Sequence, residues 1–318
     1  VRFDISRIPS GSIVINQGEE FTIINDYPTE RYFAPQIYNP NLEANVVLWL
    51  DANSSANITT VSGNVSEWDN RIDHGKTTFT QDTLTSRPEY DTGNSVVLFD
   101  GVDDDVSIAD NLGQTGKPGY YLITVIQKVN STNAANINAI ACMAGGGGAT
   151  GDRGTAWITG QTTIFPPTNN GENTGWYYDS SGKNSAISAA IRSGVHSYTY
   201  DKRIFAFNQF LNSTIDQATL YSNGTLYSGG GSFNQGLARD QTSELWRIGC
   251  GTDRDTGVAT HHSEVKVYEM VYLANALDDS TTFDLYQKIE GYLAHKWDLE
   301  SELPAAHPYK TNPPYRWT

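Results

Sequence analysis

The stretch Ser95–Ala109, SVVLFDGVDDDVSIA, decides how the chain is read. Val96, Val97, Leu98 and Phe99 form a short apolar run rich in β-branched residues, the pattern of a buried strand. It stops at the turn dipeptide Asp100-Gly101, and three acids follow, Asp103, Asp104 and Asp105. Val106 and Ile108 then alternate with Ser107 and Ala109, which predicts a second strand. Carboxylates crowded into one turn repel each other unless water or a cation intervenes. Two readings follow, a solvated turn or an oxygen-ligand site for Ca²⁺.

The same grammar recurs outward along the chain. Val46–Asp51 (VVLWLD) reads as a central strand, and Tyr120–Val129 is the longest strand candidate. Thr155–Gly160 and Gly175–Ser180 carry Trp157, Trp176, Tyr177 and Tyr178; alternation puts Trp176 and Tyr178 on one face. In ATLYSNGTLYS, residues 218–228, two strands flank Asn223-Gly224, the dipeptide of a two-residue hairpin. The run Gly145–Gly148 lacks the Gly-Lys-Ser/Thr ending of a phosphate loop. One segment breaks the pattern. After Asp278-Asp279-Ser280, Phe283, Tyr286, Ile289, Leu293 and Trp297 recur at steps of three and four, an apolar stripe on a helix of about five turns. Leu303-Pro304 is expected to end it, and a Pro/Tyr-rich tail follows.

Composition sets the limits. The chain has 318 residues and a formal net charge of −15, with no basic stripe, which argues against nucleic acid and anionic lipid as partners. No apolar run approaches the roughly 18–20 residues of a membrane span. The chain starts at Val1, so we expect a mature or trimmed product. Cys142 and Cys250 each close a predicted strand and are either paired or two buried thiols. Residues 1–44 hold short alternating strands and a proline-punctuated aromatic segment too small for a core of its own. They form an extended arm, lying on its own domain or docking on a neighbouring subunit.

Taken in order, Trp49-Leu50-Asp51, Trp68-Asp69, Arg87-Pro88-Glu89-Tyr90, Phe99-Asp100-Gly101-Val102-Asp103-Asp104, the Asn-Gly hairpin and the ending Ile289-Glu290-Gly291-Tyr292-Leu293-Ala294-His295-Lys296-Trp297 with Leu303-Pro304 and His307-Pro308-Tyr309 resemble one family. It is the concanavalin A-like, laminin-G-like jelly roll of marine bacterial, phage and large-virus surface proteins. The resemblance covers roughly residues 45–310. The late strand departs from it: Glu269 is followed by Met270-Val271-Tyr272-Leu273-Ala274, without the family's Tyr-Asn pair.

The resemblance implies an all-β fold, a two-sheet antiparallel jelly-roll sandwich, with one C-terminal amphipathic helix and an N-terminal extended arm. The expected division is 1–44 arm, 45–277 sandwich, and 278–318 helix and tail packed on it. It also implies glycan or protein binding at the concave face or rim, often with Ca²⁺. Transferred to this chain, Asp100, Asp103, Asp104 and Asp105 become metal candidates, and Trp157, Trp176 and Tyr178 an aromatic platform for sugar.

The fold also hosts glycoside hydrolases, which need two carboxyls about 5–5.5 Å apart for retention. The chain has no Glu-x-Asp-x-x-Glu run, and alternation would send Glu264 and Glu269 to opposite faces. The expectation is therefore a non-catalytic structural or adhesive surface protein: a virion decoration or fibre protein, or an extracellular filament subunit. It would meet its own copies or other structural subunits through residues 1–44 and the C-terminal tail. The alternative is a calcium-dependent carbohydrate-binding module, with a hydrolase the lesser choice.

Overall fold

The computed structural model describes residues 11–15, 19–23, 36–72, 77–110, 112, 119–129, 138–145, 154–159, 174–179, 189–192, 201–211, 216–233, 244–252, 259–260, 262–274 and 280–316. Among them β1 (Gly11–Ile15) and β2 (Glu19–Ile23) form a hairpin of their own. The short β3 (Gln36–Ile37) leads to β4 (Val46–Asp51), β5 (Ile58–Val61), β6 (Asn64–Asp69), β7 (Thr78–Thr80), β8 (Glu89–Asp91), β9 (Val96–Asp100) and β10 (Val106–Ile108). Then come β11 (Gly119–Lys128), β12 (Asn138–Gly145), β13 (Gly154–Thr159), β14 (Thr174–Asp179), β15 (Ala189–Arg192), β16 (Arg203–Leu211), β17 (Asp216–Ser222) and β18 (Thr225–Phe233). The series closes with β19 (Glu244–Ile248), β20 (Gly251–Thr252), β21 (Ala259–Thr260), β22 (Glu264–Ala274), the helix α1 (Ser280–Lys296) and β23 (Tyr315–Arg316).

The pairings are antiparallel and sort into two layers. In the first, β4 and β9 share one edge of β22, and β11, β16, β17 and β18 continue from the other. In the second the order is β5-β6-β7-β10-β19-β12-β13-β14-β15. β8 joins the layers, pairing with β9 and touching β6 at Asn64 and Glu89. The fold is thus the expected all-β sandwich, with one α-helix among the described residues.

The layers close on an apolar core that includes Leu48, Leu50, Trp68, Phe79, Phe99 and Trp246. The first layer is covered on its other face too, by α1, through Tyr286, Ile289, Leu293 and Trp297. This explains the unbroken apolar runs. Along β11, Tyr120, Leu122 and Ile126 face the other sheet while Tyr121, Ile123 and Val125 face the helix. Phe283, the first residue of the expected stripe, is the exception at 36 % exposure, its ring lying 5.7 Å from that of Tyr286.

Among several breaks in strict alternation, the one that bears on the buried acids lies on β22. Val125 pairs with Glu269 and Ile126 with Val267, leaving Tyr268 as an extra residue. This β-bulge turns two successive side chains to the helix side: Tyr268 packs edge-on to Trp297, and Glu269 accepts from the Trp297 indole. The expectation that Glu264 and Glu269 oppose one another assumed an unbroken parity that the bulge removes.

The helix also stops earlier than expected. It ends at Lys296, where Asp298 takes a left-handed φ of 57°. The Leu299 N–H then reaches back to the Ala294 carbonyl at 2.7 Å, and the Trp297 N–H to Leu293 at 3.0 Å. Leu303-Pro304 comes only after a further 3-10 turn.

The hairpin at Asn223-Gly224 is as read, with both φ positive, 46° and 75°. Its tip meets the tail: a Cβ on Gly224 would sit 2.8 Å from Pro304 Cδ. The end of the N-terminal segment lies on the chain's own body. Tyr38 is buried beside Tyr292, and β3 pairs with β23. Gly291 lets the tail in close, because a Cβ there would lie 2.4 Å from Tyr309 Cβ. In a free helix Gly→Ala stabilises by about 1 kcal/mol. Here Gly291→Ala should instead destabilise, by about 1–3 kcal/mol of overpacking, read as a lower midpoint in urea unfolding.

Candidate functional site

Two groups of carboxylates need explaining, and they differ in their access to water. The first is the acidic turn. β9 belongs to the first layer and β10 to the second, so residues 101–105 carry the chain across the rim of the sandwich. Asp100-Gly101 makes the corner with Gly101 at φ 78°, and a Cβ there would stand 2.9 Å from the Glu264 amide nitrogen. The Asp100 carboxylate accepts the Val102 N–H at 2.8 Å, and the Asp104 carboxylate accepts the Asp100 N–H at 2.9 Å. The Ser86 hydroxyl donates to Asp103 at 3.3 Å.

Asp100, Asp103 and Asp104 each present an oxygen within 4.8 Å of the others, a cluster that could hold a metal ion. Asp105, the fourth expected ligand, turns elsewhere. It is buried, paired with Arg247 at 2.7 Å and accepting from Gln81 at 2.7 Å. His262 meets the Asp104 carbonyl at 3.1 Å through Nδ1. Burial is the main cause of a raised Asp104 pKa, about 6, with the charges of Asp100, Asp103 and Asp105 adding to it.

The second group is sealed. Glu269 is fully buried, yet four donors converge on it. These are Trp49 Nε1 at 2.6 Å, Trp297 Nε1 at 2.7 Å, the Tyr292 hydroxyl at 3.0 Å and Lys296 Nζ at 2.6 Å. Lys296 also pairs with Asp51 at 2.8 Å, and Asp51 is reached by Arg71, whose guanidinium stacks on Trp49 3.8 Å from its centroid. Burial raises the Glu269 pKa, Lys296 pulls it back, and Asp51 pushes it up again. On the same helix, buried Glu290 faces His307 Nε2 at 3.3 Å. Sequence reasoning quoted Trp49-Leu50-Asp51 and the Glu290–Trp297 segment without giving them chemistry. Their spacing fits a helix laid across β4 and β22, a signal visible only once those elements are adjacent.

The aromatic platform falls on strands whose backbone alone is described. Trp157 pairs directly with Trp176, and Thr155 with Tyr178. The side chains of Trp157, Trp176 and Tyr178 lie outside the described residues. Cys250 is buried, whereas the side chain of Cys142 is outside that set. Among the described residues no helix is long and apolar enough to cross a membrane.

Neither a protein-family model nor a curated protein matches the sequence. Among solved structures the chain is similar to the sialidase CBM40 of Ruminococcus gnavus bound to α2,3-sialyllactose, at 14 % identity over 54 % of this chain and 83 % of that one, TM-score 0.38. Domain 4 of AbnA, an extracellular GH43 arabinanase of Geobacillus stearothermophilus in complex with arabinotriose, is 14 % identical over 76 % of this chain and 98 % of its own, TM-score 0.39. The alginate lyase Aly36B is 11 % identical over 71 % and 94 %, TM-score 0.42.

The raised Asp104 pKa fixes a pH signature. Between pH 6 and its ordinary value of 3.8 the native carboxyl holds a proton that the unfolded one releases. The contribution of this group to stability therefore rises as pH falls through about 6 and levels off below 3.8. Asp104→Asn, which keeps an oxygen for the Asp100 N–H, should be more stable than the parent at pH 7, by at most about 3 kcal/mol. It should lose that advantage by pH 4. Urea titrations at both pH values check this.

Proposed function

We propose that the chain is a non-catalytic adhesive or structural surface domain that binds glycan at the rim carrying the acidic turn, with Ca²⁺ held by Asp100, Asp103 and Asp104. One observation carries the reading: the arm and the acidic turn sit at opposite ends of β22. At one end Asp100 pairs with Glu264. At the other, Leu273 pairs with Val46 and the Ala274 N–H bonds to Asn45, where the arm enters. Eleven residues of strand separate these ends, about 33 Å at the usual rise. A domain held at the arm end presents the acidic turn away from its anchor. Own copies or other structural subunits would meet residues 1–44 and the C-terminal tail. The place of action is an extracellular or virion surface, which suits the acidic composition.

The fate of the buried carboxylates supports a binding role over cleavage. Glu269 and Asp51 face Lys296 and Arg71, and Asp105 faces Arg247. Each is matched by a cation, whereas hydrolysis of a glycosidic bond requires two carboxyls free to act on the substrate. A free-standing calcium-dependent carbohydrate-binding module is the second reading. It shares the rim site and dispenses with the arm.

Printing the full-length protein against a glycan panel, with calcium and with chelator, tests the site. The expected outcome is retention of some glycans in calcium, lost with chelator and weakened at least tenfold in the double variant Asp103→Ala, Asp104→Asn. Light scattering distinguishes the two readings, since subunit contacts through the arm predict self-association. Release of reducing ends from any polysaccharide in the panel would refute the non-catalytic assignment.

A further inference from the structure

The cluster at Glu269 holds one amine in contact with two carboxyls, one of them fully buried. Lys296 Nζ lies 2.8 Å from Asp51 Oδ2 and 2.6 Å from Glu269 Oε2. The Asp51 and Glu269 side chains are 3 % and 0 % exposed, and Lys296 is 18 % exposed. Trp49, Tyr292 and Trp297 wall the group in, each buried. We propose that Lys296 and Asp51 become joined by an intramolecular amide, an isopeptide bond, with Glu269 carrying the protons.

The step balances without a co-reactant. Lys296 starts as an ammonium and Asp51 as a carboxylate. Glu269 relays one ammonium proton to Asp51 Oδ2, and the freed amine lone pair attacks Asp51 Cγ. The second proton follows to the same oxygen. The Cγ–Oδ2 bond breaks, one water leaves, and Glu269 returns to its starting state. The partly exposed side of Lys296 gives that water an exit.

The two oxygens of Asp51 are differentiated as this requires. Oδ2 takes Lys296 and Arg71. Oδ1, which stays, accepts the Asn53 N–H at 3.0 Å and so has a donor for developing negative charge.

In water the two ions are too well solvated to condense. Here the protein has already stripped that hydration, and an isolated buried ion pair is not reliably stabilising. Forming the amide removes both charges from the interior. Holding the reacting atoms in place supplies an effective concentration on the order of 10⁵–10⁸ M. The burial that raises the Glu269 pKa suits it to hold a proton in transit. The product would tie the first long strand of the sandwich to its closing helix. The inference stands apart from glycan binding, because it concerns the interior and its readout is mass.

Intact-mass spectrometry of the purified full-length chain is the test. The expected mass is that of the sequence less one water. A tryptic digest should lack cleavage after Lys296 and contain a branched peptide joining the Asp51 and Lys296 segments. Lys296→Arg keeps a cation beside both carboxylates but should return the full sequence mass. Parent protein at full sequence mass, after prolonged incubation at neutral pH, would overturn the proposal. So would a water loss that maps to Asp100-Gly101 with no branched peptide, or one that survives in Lys296→Arg.

Discussion

A carboxyl group with no contact with water governs how this molecule is put together. Glu269 must be neutralised or solvated by protein, since an unpaired buried charge costs several kcal/mol. The donors come from two elements far apart in sequence, Trp49 from β4, and Tyr292 and Lys296, with the adjoining Trp297, from the closing helix. Trp49 arrives with the strand pairing, but Tyr292, Lys296 and Trp297 cannot be supplied until the helix lies across the first layer. Burial of the apolar stripe provides the drive to dock, and the donors fix where the helix docks. A helix held by grease alone could slide by a turn; one that must deliver an ammonium and an indole to one carboxylate cannot. The bulge at Tyr268 belongs to the same requirement, because it sets the side on which Glu269 emerges.

Much of the architecture could be read from local pattern. The buried run Val96–Phe99, the Asn-Gly turn and the 3–4 spacing from Tyr286 to Trp297 each report a constraint met within a few residues. What escaped depends on partners distant in sequence. The parity of Glu264 and Glu269 looked settled, yet one inserted residue in the ladder undoes it, and no composition marks that residue. Proline is the strong breaker that sequence points to as the helix end, but Asp298 in a left-handed turn ends it first. Asp105 looked like its neighbours until Arg247 and Gln81, from other strands, claimed it. The three remaining acids of the turn were legible as a group because adjacency alone brings them together.

The two carboxylate groups also divide the molecule by purpose. In the interior Glu269, Asp51 and Asp105 are matched by a base, and Glu269 by indole and phenol donors as well. At the rim Asp100 and Asp103 keep company with another acid instead. Uncompensated like charge is tolerable where solvent can reach it, which fits the exposed Asp100 and half-exposed Asp103 at the rim. The tail reinforces the same division. Gly291 and Gly224 let Tyr309 and Pro304 lie against helix and hairpin, closing the helix side with close-packed backbone.

The pairing of β3 with β23 has a mechanical corollary. Its register, Ile37 with Tyr315 and Gln36 with Arg316, sends both strands out of the ladder from the same end. Tension applied through the two flanking segments therefore peels these bonds one after another instead of shearing them together. Such a seam opens at low force and acts as a weak link in series. Behind it lies Tyr38, packed under the helix, where the load next arrives. A pull on this protein would spend the seam first and reach the sandwich last.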